Sequence, residues 1–575
     1  MTRLRRLVPD IPARRLVRVL GLPELVLNLC ALAAVASAVL AWPAAWTVGL
    51  VGFTWLAMIV LGGDGVDRAS AAIAQARYYV LARFALVGAA LVWAWRQDLA
   101  TQVMVGGLLC GLAILFEPFI RLLAAQAFPY AWGFSGVKAR AKPWISGHLV
   151  FLVNWLMLGV FLLEVLGQWW PPVTILVGVL GLAVTLAGVV DAVVFVVQRL
   201  AFNARLPGLL RDLAPTFALH WEAPAGSLYQ VSMWLDQLKR LGKPFMLITR
   251  TTDNFFETKS LGVPVLHRVG LDAVGDALTD SLKTVFYVNT ATRNDHLLRY
   301  PHLNHIQLNH GDSDKVASYS PVFRSYDKNF VAGQAAIDRF EAAGLATAPG
   351  FFVTVGRPQV AALAMADKPI CEVSEPTVLY APTWVGNTAD SNYTSLPWAP
   401  QIVQALLDRG CTVIFRPHPY WARHHRTRTV RGEVLALLQR DQGLTGRPHV
   451  YGEAAEHKLD VVGCINGSDA MISDVSSVVG DYLYSEKPFA MMAVACPVAQ
   501  FAEANPVARA AYVVDAGTLV NPKANGEGSL PQALDAMLGP DPLAAKRHEF
   551  KVYYLGDIPP AKYADRFHQE ASRFV

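Results

Sequence analysis

The stretch that decides the fold is residues 470–488, AMISDVSSVVGDYLYSEKP. Its short apolar start, 470–472, ends at a Ser-Asp pair, which predicts a buried strand that runs into a loop. The loop then presents Ser476 and Ser477 to a helix that begins near Val478. Because a helix start has unpaired N–H groups and the positive end of the helix dipole, these hydroxyls predict a diphosphate site. An ordinary serine N-cap is the alternative that the spacing leaves open.

Composition indicates that this α/β stretch belongs to a larger chain with a membrane part. The 575 residues favour more than one domain. Hydrophobic residues make up 53% and charged residues 17%, which is too apolar for a purely soluble protein. The six cysteines are scattered without a CxxC pair, so we expect reduced structural thiols and no zinc site.

The apolar excess lies in residues 1–211, where we predict a membrane domain of about six transmembrane helices. A basic N-terminus before one apolar stretch would also fit a signal peptide, but the further spans favour a membrane domain. Each span is near the roughly 20 residues that cross a bilayer. The predicted spans are 22–42, 45–61, 79–95, 103–122, 148–166 and 173–197.

Charges around the spans predict the orientation. With six spans, every basic cluster falls on one face, so we predict a multi-pass protein of the cell membrane with the chain after residue 211 in the cytoplasm. Glu117, Glu164 and Asp191 lie within or at the ends of spans. They are candidate functional groups, and helix packing or snorkelling is the alternative, since no matched partners are visible. The basic clusters lie at residues 3–18, 68–77, 121–142 and 199–211.

From about residue 214, short β-rich runs alternate with helical stretches, which predicts βαβ units and parallel sheets. We expect two doubly wound domains, 214–365 and 366–545, with a ligand-binding cleft between them and C-terminal helices at 546–575. The absence of Walker A and GxGxxG patterns disfavours P-loop nucleotidases and dinucleotide enzymes. The predicted strands are 244–250, 263–269, 284–288, 306–308, 329–331, 351–355, 378–380, 412–415, 449–451, 470–472, 489–493 and 511–514.

One strand end supplies a candidate base. His310 follows the short β-rich run 306–308 in the sequence LNHGD. Its near-neutral pKa would suit it to take a proton from a hydroxyl nucleophile, and a structural loop histidine is the alternative. The spacing of His302 and His305 fits no standard metal site, so we expect no metal there.

A second histidine follows a predicted strand in the sequence RPHP. The prolines on both sides of His418 fix its backbone, and Arg416 supplies a permanent cation suited to phosphate oxygens. The basic run 423–428 predicts either a solvated loop or a surface for an anionic substrate or lipid head groups. Thr383, in LYAPTW, is a further candidate to face the cleft.

The motifs LNHGDSDK, LYAPTW, RPHP and SDVSSVVGDYLYSEKP, in this order and spacing, resemble the CDP-glycerol glycerophosphotransferase family. Its members are bacterial teichoic acid polymerases and primases and related capsule polymerases. The resemblance covers roughly residues 284–514. It implies a GT-B fold and transfer of glycerol phosphate, or a related polyol phosphate, from CDP-glycerol or CDP-ribitol to a hydroxyl of a polymer or lipid-linked acceptor. CMP would be released.

The resemblance also implies roles for individual residues. His310 matches the base on the acceptor hydroxyl, and His418 matches the residue that contacts or protonates the donor phosphates. The implied reaction is an in-line displacement at the β-phosphorus, which depends on positioning and electrostatics and requires no cofactor, although a divalent ion could assist. Implied substrate-binding residues are Arg416, Ser476 and Ser477 at the diphosphate and Asp481 near the polyol or ribose, with Asp474 and Thr383 as further candidates.

The chain departs from the family pattern in two ways. Asn309 and Asp312 replace an aromatic and a small hydroxylic residue around the HG pair, and the negative charge of Asp312 puts the acceptor in question. The six spans replace the usual peripheral attachment, and we expect them to hold the enzyme beside membrane lipids and a lipid-linked acceptor.

A GT-B glycosyltransferase that uses a nucleotide-sugar and a non-catalytic membrane scaffold are the alternatives. The net charge of +5 does not indicate nucleic-acid binding.

Overall fold

The computed structural model describes residues 22–62, 79–126, 131–135, 144–168, 170–386, 392–423, 425–520 and 528–575. The chain divides into two compact units: residues 1–130 with 136–207, and residues 131–135 with 208–575. Some predicted features lie outside the described residues, namely the basic clusters at 3–18 and 68–77, the basic residues at 138–142, and residue 424 of the basic run.

The N-terminal region is helical, and its helices coincide with the six predicted spans. Among the described residues, three helices are long and apolar enough to cross a membrane: α4 over Thr101–Ile120, and α5 and α6 over their full lengths. At 42 residues, α6 is about 63 Å long, twice the thickness of a bilayer's hydrocarbon core. The helices are α1 (Leu22–Val39), α2 (Ala44–Gly62), α3 (Val80–Arg96), α4 (Thr101–Gln126), α5 (Gly147–Gly167) and α6 (Pro172–Leu213).

A buried polar network crosses the first unit. Arg83 of α3 donates two hydrogen bonds to Glu117 of α4, at 2.8 and 2.9 Å, and neither side chain is more than 1% exposed. Asn154 of α5 donates to Glu117 at 3.2 Å and to Thr185 of α6 at 3.0 Å. The sequence suggested no partner for Glu117. The structure provides one, because Arg83 on the preceding helix binds both of its carboxylate oxygens.

The other two acidic residues of the spans accept hydrogen bonds from backbone N–H groups. Glu164 accepts from Trp170 at 2.7 Å, just past the end of α5. Asp191 of α6 accepts from Trp144 at 2.8 Å, just before α5 begins. Together with the Arg83–Glu117 pair, these contacts favour the helix-packing alternative for all three acidic residues.

The second unit contains an eight-stranded sheet with the order β1-β4-β3-β2-β5-β6-β7-β8. All pairs are parallel except β1 with β4. The central strands are buried on both faces, as parallel strands covered by helices are, and the stacked rings of Phe217 and Phe245 lie 4.8 Å apart. The strands are β1 (Ala131–Trp132), β2 (Phe217–Trp221), β3 (Phe245–Thr249), β4 (Val265–His267), β5 (Thr284–Tyr287), β6 (Asn304–Gln307), β7 (Lys328–Val331) and β8 (Phe352–Thr354).

A second sheet of five parallel strands follows in the same unit, with the order β10-β9-β11-β12-β13. Two doubly wound parallel sheets in succession are the GT-B-like domain pair that the sequence predicts. The strands are β9 (Thr377–Ala381), β10 (Thr412–Phe415), β11 (Ala470–Ser473), β12 (Phe489–Ala493) and β13 (Tyr512–Asp515).

Helices cover both sheets, and the chain ends by returning to the first one. The Phe567 ring of the last helix lies 5.1 Å from Trp234, whereas Phe550 and Tyr554 of the helix before it belong to a core of the second sheet. The helices are α7 (Tyr229–Arg240), α8 (Thr252–Glu257), α9 (Leu271–Gly275), α10 (Asp295–Leu298), α11 (Gln334–Ala342), α12 (Ala399–Leu407), α13 (His425–Thr445), α14 (Val461–Asn466), α15 (Ser477–Tyr482), α16 (Val498–Ala504), α17 (Ala516–Val520), α18 (Leu530–Leu538), α19 (Ala544–Leu555) and α20 (Tyr563–Ala571).

Three elements differ from the sequence prediction. The two-residue strand β1 was not predicted. The central strand β2 was not predicted, because its sequence FALHW has no β-branched residue and includes a histidine. His220 is nevertheless fully buried. Both of its ring nitrogens have polar partners there, at 2.9 Å from Asn294 Oδ1 and 3.2 Å from Arg250 Nη1. The predicted strand 449–451 is wrong, because only Val450 forms a bridge, to Ile414.

Candidate active site

A cavity of about 1050 Å³ lies between the two sheets of the second unit. Its walls come from the loops that follow β5, β6, β8, β9, β10 and β11, and from α7 and α14. Strand order reverses between β2 and β5 in one sheet and between β9 and β11 in the other, and ligands bind at such switch points. The predicted site residues that line the cavity are His310, Thr383, Arg416, His418, Ser476, Ser477 and Asp481.

His310 is held in one tautomer by the backbone. Asn309, which precedes it, has a left-handed conformation (φ 58°) that asparagine tolerates better than most residues. His310 Nδ1 lies 2.7 Å from the carbonyl oxygen of Val288. Because a carbonyl only accepts, Nδ1 carries the proton and Nε2 keeps its lone pair. Burial lowers the pKa of His310, more than the bond to Val288 raises it, and Arg357 lowers it further, so the ring is a neutral base near pH 7.

His418 is held in the opposite tautomer. Its backbone N–H donates to the carbonyl oxygen of Pro382 at 3.0 Å, which fixes the RPHP segment against the end of β9. Its Nδ1 accepts from the backbone N–H of Tyr420 at 3.2 Å. An accepting Nδ1 puts the proton of the neutral ring on Nε2, so this imidazole has an N–H to donate.

The ring of Tyr229, the first residue of α7, brings the two histidines together. Its centroid lies 6.2 Å from that of His310 and 6.3 Å from that of His418, with both imidazoles edge-on to it. One histidine comes from each half of the cavity. A proton acceptor and a proton donor therefore approach one aromatic side chain, which is the pair that acid–base transfer requires.

The two serines line the cavity in different ways. Ser476 Oγ accepts from the N–H of Val478 at 3.2 Å, so this serine is the N-cap of the six-residue helix α15. Ser477 lies against Gly311 from the other half, where a Cβ atom would be 2.6 Å from Ser477 Cβ and 2.7 Å from Oγ. The glycine after His310 is thus required by this close approach of the two halves.

Asp481 is paired with an arginine that the sequence did not single out. Arg357, which follows β8, donates to its two carboxylate oxygens at 2.8 and 3.3 Å. Both residues line the cavity, and the pair joins its two halves. Any contact of Asp481 with a substrate would be made by a carboxylate whose charge is already balanced.

Asp474 lies behind the cavity wall. It is fully buried, and it accepts from the backbone N–H of Thr383 at 2.7 Å and of Ser395 at 3.1 Å. Burial raises the pKa of Asp474 to about 6, although these hydrogen bonds and Lys315 oppose the rise. This placement lets Asp474 position the loop after β9, and Asp474 is not among the residues that line the cavity.

Arg416 has a partly structural role. Its Nη1 donates to the carbonyl oxygens of Ala455 and, at 2.7 Å, of Leu459, and thereby holds the turn of π-helix Ala454–Lys458. The residue also lines the cavity and is half-buried. One of its nitrogens is therefore engaged in positioning the wall that carries His418.

One comparison with known proteins matches the part of the sequence that contributes the second half of the cavity lining. The family model of CDP-glycerol:poly(glycerophosphate) glycerophosphotransferase matches residues 364–496. This segment of the chain resembles that family. The match confirms the resemblance seen in the motifs, and it includes His418, Ser476 and Ser477 but not His310. No curated protein matches the chain by sequence.

Solved structures with a similar arrangement are distant in sequence. The wall teichoic acid polymerase TagF is 13% identical, with a TM-score of 0.38 over 65% of this chain and 95% of that one. The MnaA–UDP structure of S. aureus is 12% identical, with a TM-score of 0.42 over 63% and 96%. A putative UDP-N-acetylglucosamine 2-epimerase from Listeria monocytogenes is 12% identical, with a TM-score of 0.39 over 61% and 94%. The fold assignment rests on the two sheets themselves.

The cavity also contains a lysine that the sequence analysis missed. Lys315 Nζ donates to Thr383 Oγ1 at 2.9 Å, across the cavity, and lies 5.5 Å from the ring centroid of Tyr393. Burial lowers the pKa of Lys315 to about 8, although Asp474 raises it. Lys315 is the last residue of the LNHGDSDK motif, so the sequence contained a signal that could have indicated it. Tyr229 lies in no motif and had no such signal.

Lys315 predicts a pH dependence of donor use. Because its folded pKa is depressed, the ammonium is present below about pH 8 and is lost as the pH rises through that value. We therefore expect kcat/KM for a CDP-activated donor to fall by up to about tenfold between pH 8 and 9, since kcat/KM reports the free enzyme. Lys315→Arg should flatten this limb, because a guanidinium keeps its charge. An unchanged limb in Lys315→Arg would show that another group titrates.

Two predicted features outside the pair of cavity histidines also have partners. The negative charge of Asp312 is paired with Arg339, which also binds Asp314 at 2.9 Å. His305 binds the Tyr287 hydroxyl at 3.0 Å and the Tyr300 carbonyl at 3.1 Å, as a structural histidine does. Within the described ranges, no group of three or more His, Cys, Asp or Glu side chains is placed to hold a metal ion.

Proposed function

We propose that the chain transfers glycerol phosphate, or a related polyol phosphate, from a CDP-activated donor to a hydroxyl group and releases CMP. The observation that carries this proposal is the pair of histidines on the two sides of one cavity, held by backbone hydrogen bonds in complementary tautomers. The family match at residues 364–496 supports a CDP-glycerol donor.

In the proposed reaction, His310 Nε2 takes the proton of the acceptor hydroxyl as its oxygen attacks the β-phosphorus of the donor. The new oxygen–phosphorus bond forms as the bond from the β-phosphorus to the bridging oxygen breaks. The electron pair leaves with CMP, and the His418 Nε2–H donates to the phosphate oxygen that gains charge. The proton removed from the acceptor stays on His310 until it exchanges with solvent.

Cationic groups in the cavity would stabilise the diphosphate as CMP leaves. Lys315 and Arg416 both line the cavity and supply this charge, and the hydroxyls of Ser476 and Ser477 supply hydrogen bonds. Preorganised donors of this kind act without moving during the reaction, and phosphoryl transfer depends on them more than on covalent chemistry. A divalent ion is not required by these steps.

We further propose that the helical region anchors the enzyme in the cell membrane as a multi-pass protein, with the catalytic unit in the cytoplasm. Three helices long and apolar enough to span, and basic residues between the predicted spans, support this proposal. The acceptor would then be a polymer end or lipid-linked molecule at the membrane surface.

The test is CMP release by the full-length, detergent-solubilised protein. CDP-glycerol, CDP-ribitol and UDP-glucose are supplied in turn with a crude membrane-lipid acceptor, and donor binding is measured in parallel by calorimetry. Release of CMP from a CDP-polyol supports the proposal, and the faster donor identifies the polyol. Binding and turnover of UDP-glucose without any binding of a CDP-polyol would overturn it in favour of a nucleotide-sugar transferase.

A further inference from the structure

One wall of the cavity is the polar face of helix α7. Tyr229, Ser232, Met233 and Asp236 line the cavity. Their spacing of i, i+3, i+4 and i+7 puts them on one side of the helix. The opposite side is apolar and buried in the core of the first sheet, through Val231, Trp234, Leu235 and Leu238.

This wall is rigidly connected to the proposed base. Trp234 Nε1 donates to the carbonyl oxygen of Asn309 at 2.5 Å, so the buried side of α7 is bound to the residue before His310. Gln359 Nε2 donates to the carbonyl oxygen of Met233 at 3.1 Å and fixes the cavity side. The Tyr229 ring centroid lies 6.2 Å from that of His310, so a molecule whose hydroxyl reaches His310 Nε2 lies beside α7.

The charges of the cavity are unevenly distributed. Among the described cavity-lining residues, the formal charge on α7 is the carboxylate of Asp236. The cations come from other segments: Lys315 binds Thr383, Arg357 binds Asp481, and Arg416 follows β10. Arg357 is near the α7 wall, since it acts electrostatically on His310 and Gln359, two residues later, bonds to α7, but its charge is paired with Asp481. The cavity-lining residues of α7 themselves offer a phosphate no positive charge.

We propose that the α7 wall takes a neutral, hydroxyl-bearing glycan end as the acceptor, in preference to a polymer end that carries a phosphate beside its reacting hydroxyl. This inference rests on the transfer reaction proposed above and names its acceptor class. Glycan hydroxyls donate to the carboxylate of Asp236 and exchange hydrogen bonds with Ser232, and the apolar face of a sugar ring packs on Tyr229. A phosphate in the same place is repelled by Asp236.

The test compares two probes with the same octyl tail, a neutral disaccharide and a glycerol phosphate dimer. Their binding to the full-length protein is measured by calorimetry in a detergent without sugar groups, and CMP release from CDP-glycerol is measured with each. We expect the disaccharide to bind more tightly. Asp236→Asn should strengthen binding of the phosphate probe about fivefold by removing the repulsion. The matched control, Asp272→Asn, changes an exposed carboxylate of α9 outside the cavity and should leave both affinities unchanged.

The outcomes separate the acceptor class from the reaction. Tighter binding of the phosphate probe by the native protein, or no gain for that probe in Asp236→Asn, would overturn the glycan preference. A preserved binding preference without CMP release from either probe would overturn the transfer reaction and leave the α7 wall as a glycan-binding surface.

Discussion

Replacement of His310 by alanine is expected to lower kcat/KM for CMP release by about 10²–10⁴-fold, the usual contribution of a general base. The carbonyl oxygen of Val288 holds the Nδ1 proton at 2.7 Å and leaves the Nε2 lone pair for the acceptor hydroxyl. Alanine supplies no such lone pair. Initial rates of CMP release from CDP-glycerol, measured with the full-length protein in detergent, provide the readout.

The same measurement has a matched control and a pH signature. His302→Ala removes an exposed histidine outside the cavity and should leave the rate within about twofold of the native value. Because burial depresses the pKa of His310, the native enzyme should keep its activity as the pH falls through about 6.5, the ordinary histidine value. Activity of His310→Ala within about threefold of native would show that His310 is not the base.

The second large effect is expected in the helical region, where Glu117→Gln should destabilise the first unit by about 3–5 kcal/mol. The substitution leaves the guanidinium of Arg83 buried without its carboxylate, and a guanidinium cannot release its charge by losing a proton. In a unit of this size the loss corresponds to a fall in Tm of about 10 °C. Thermal unfolding of the protein in detergent, followed by tryptophan fluorescence, would measure it.

A double variant distinguishes charge from packing at this site. Arg83→Met with Glu117→Leu removes both charges and keeps apolar volume, so it should recover most of the stability lost in Glu117→Gln. If the double variant melts below the single one, the network of Arg83, Glu117, Asn154 and Thr185 stabilises the bundle through its hydrogen bonds. An unchanged Tm in Glu117→Gln would contradict the prediction outright.

Local sequence patterns were sufficient to predict the candidate site residues that follow the end of a strand. The apolar run 470–472 and the serines after it predicted β11, its loop and the N-cap of α15. The runs before His310 and His418 likewise placed both histidines at the carboxyl ends of parallel strands. Such ends meet in the cleft of a doubly wound domain pair, which is why residues far apart in sequence line one cavity.

Long-range contacts had no such local signal. Arg357 pairs with Asp481 across 124 positions, and Lys315 reaches Thr383 across 68, so neither partnership has a periodicity that a sequence window contains. The family resemblance gave Asp474 as a further candidate for substrate binding. Its side chain instead turns into the protein and holds the loop of Thr383 and Ser395.

The sequence by itself determined the class of the protein: apolar helices in the first 200 residues, a pair of parallel α/β domains, and the motifs that place His310 and His418 at strand ends. These features follow from hydrophobic periodicity and short-range spacing, which a chain carries without folding. Only the tertiary structure decided the tautomers of the two histidines, the ion pair of Arg83 and Glu117, and the polar wall of α7. Each depends on hydrogen bonds or burial between segments that meet only after folding. In such buried places, a polar group that loses its hydrogen-bond partner destabilises the fold most.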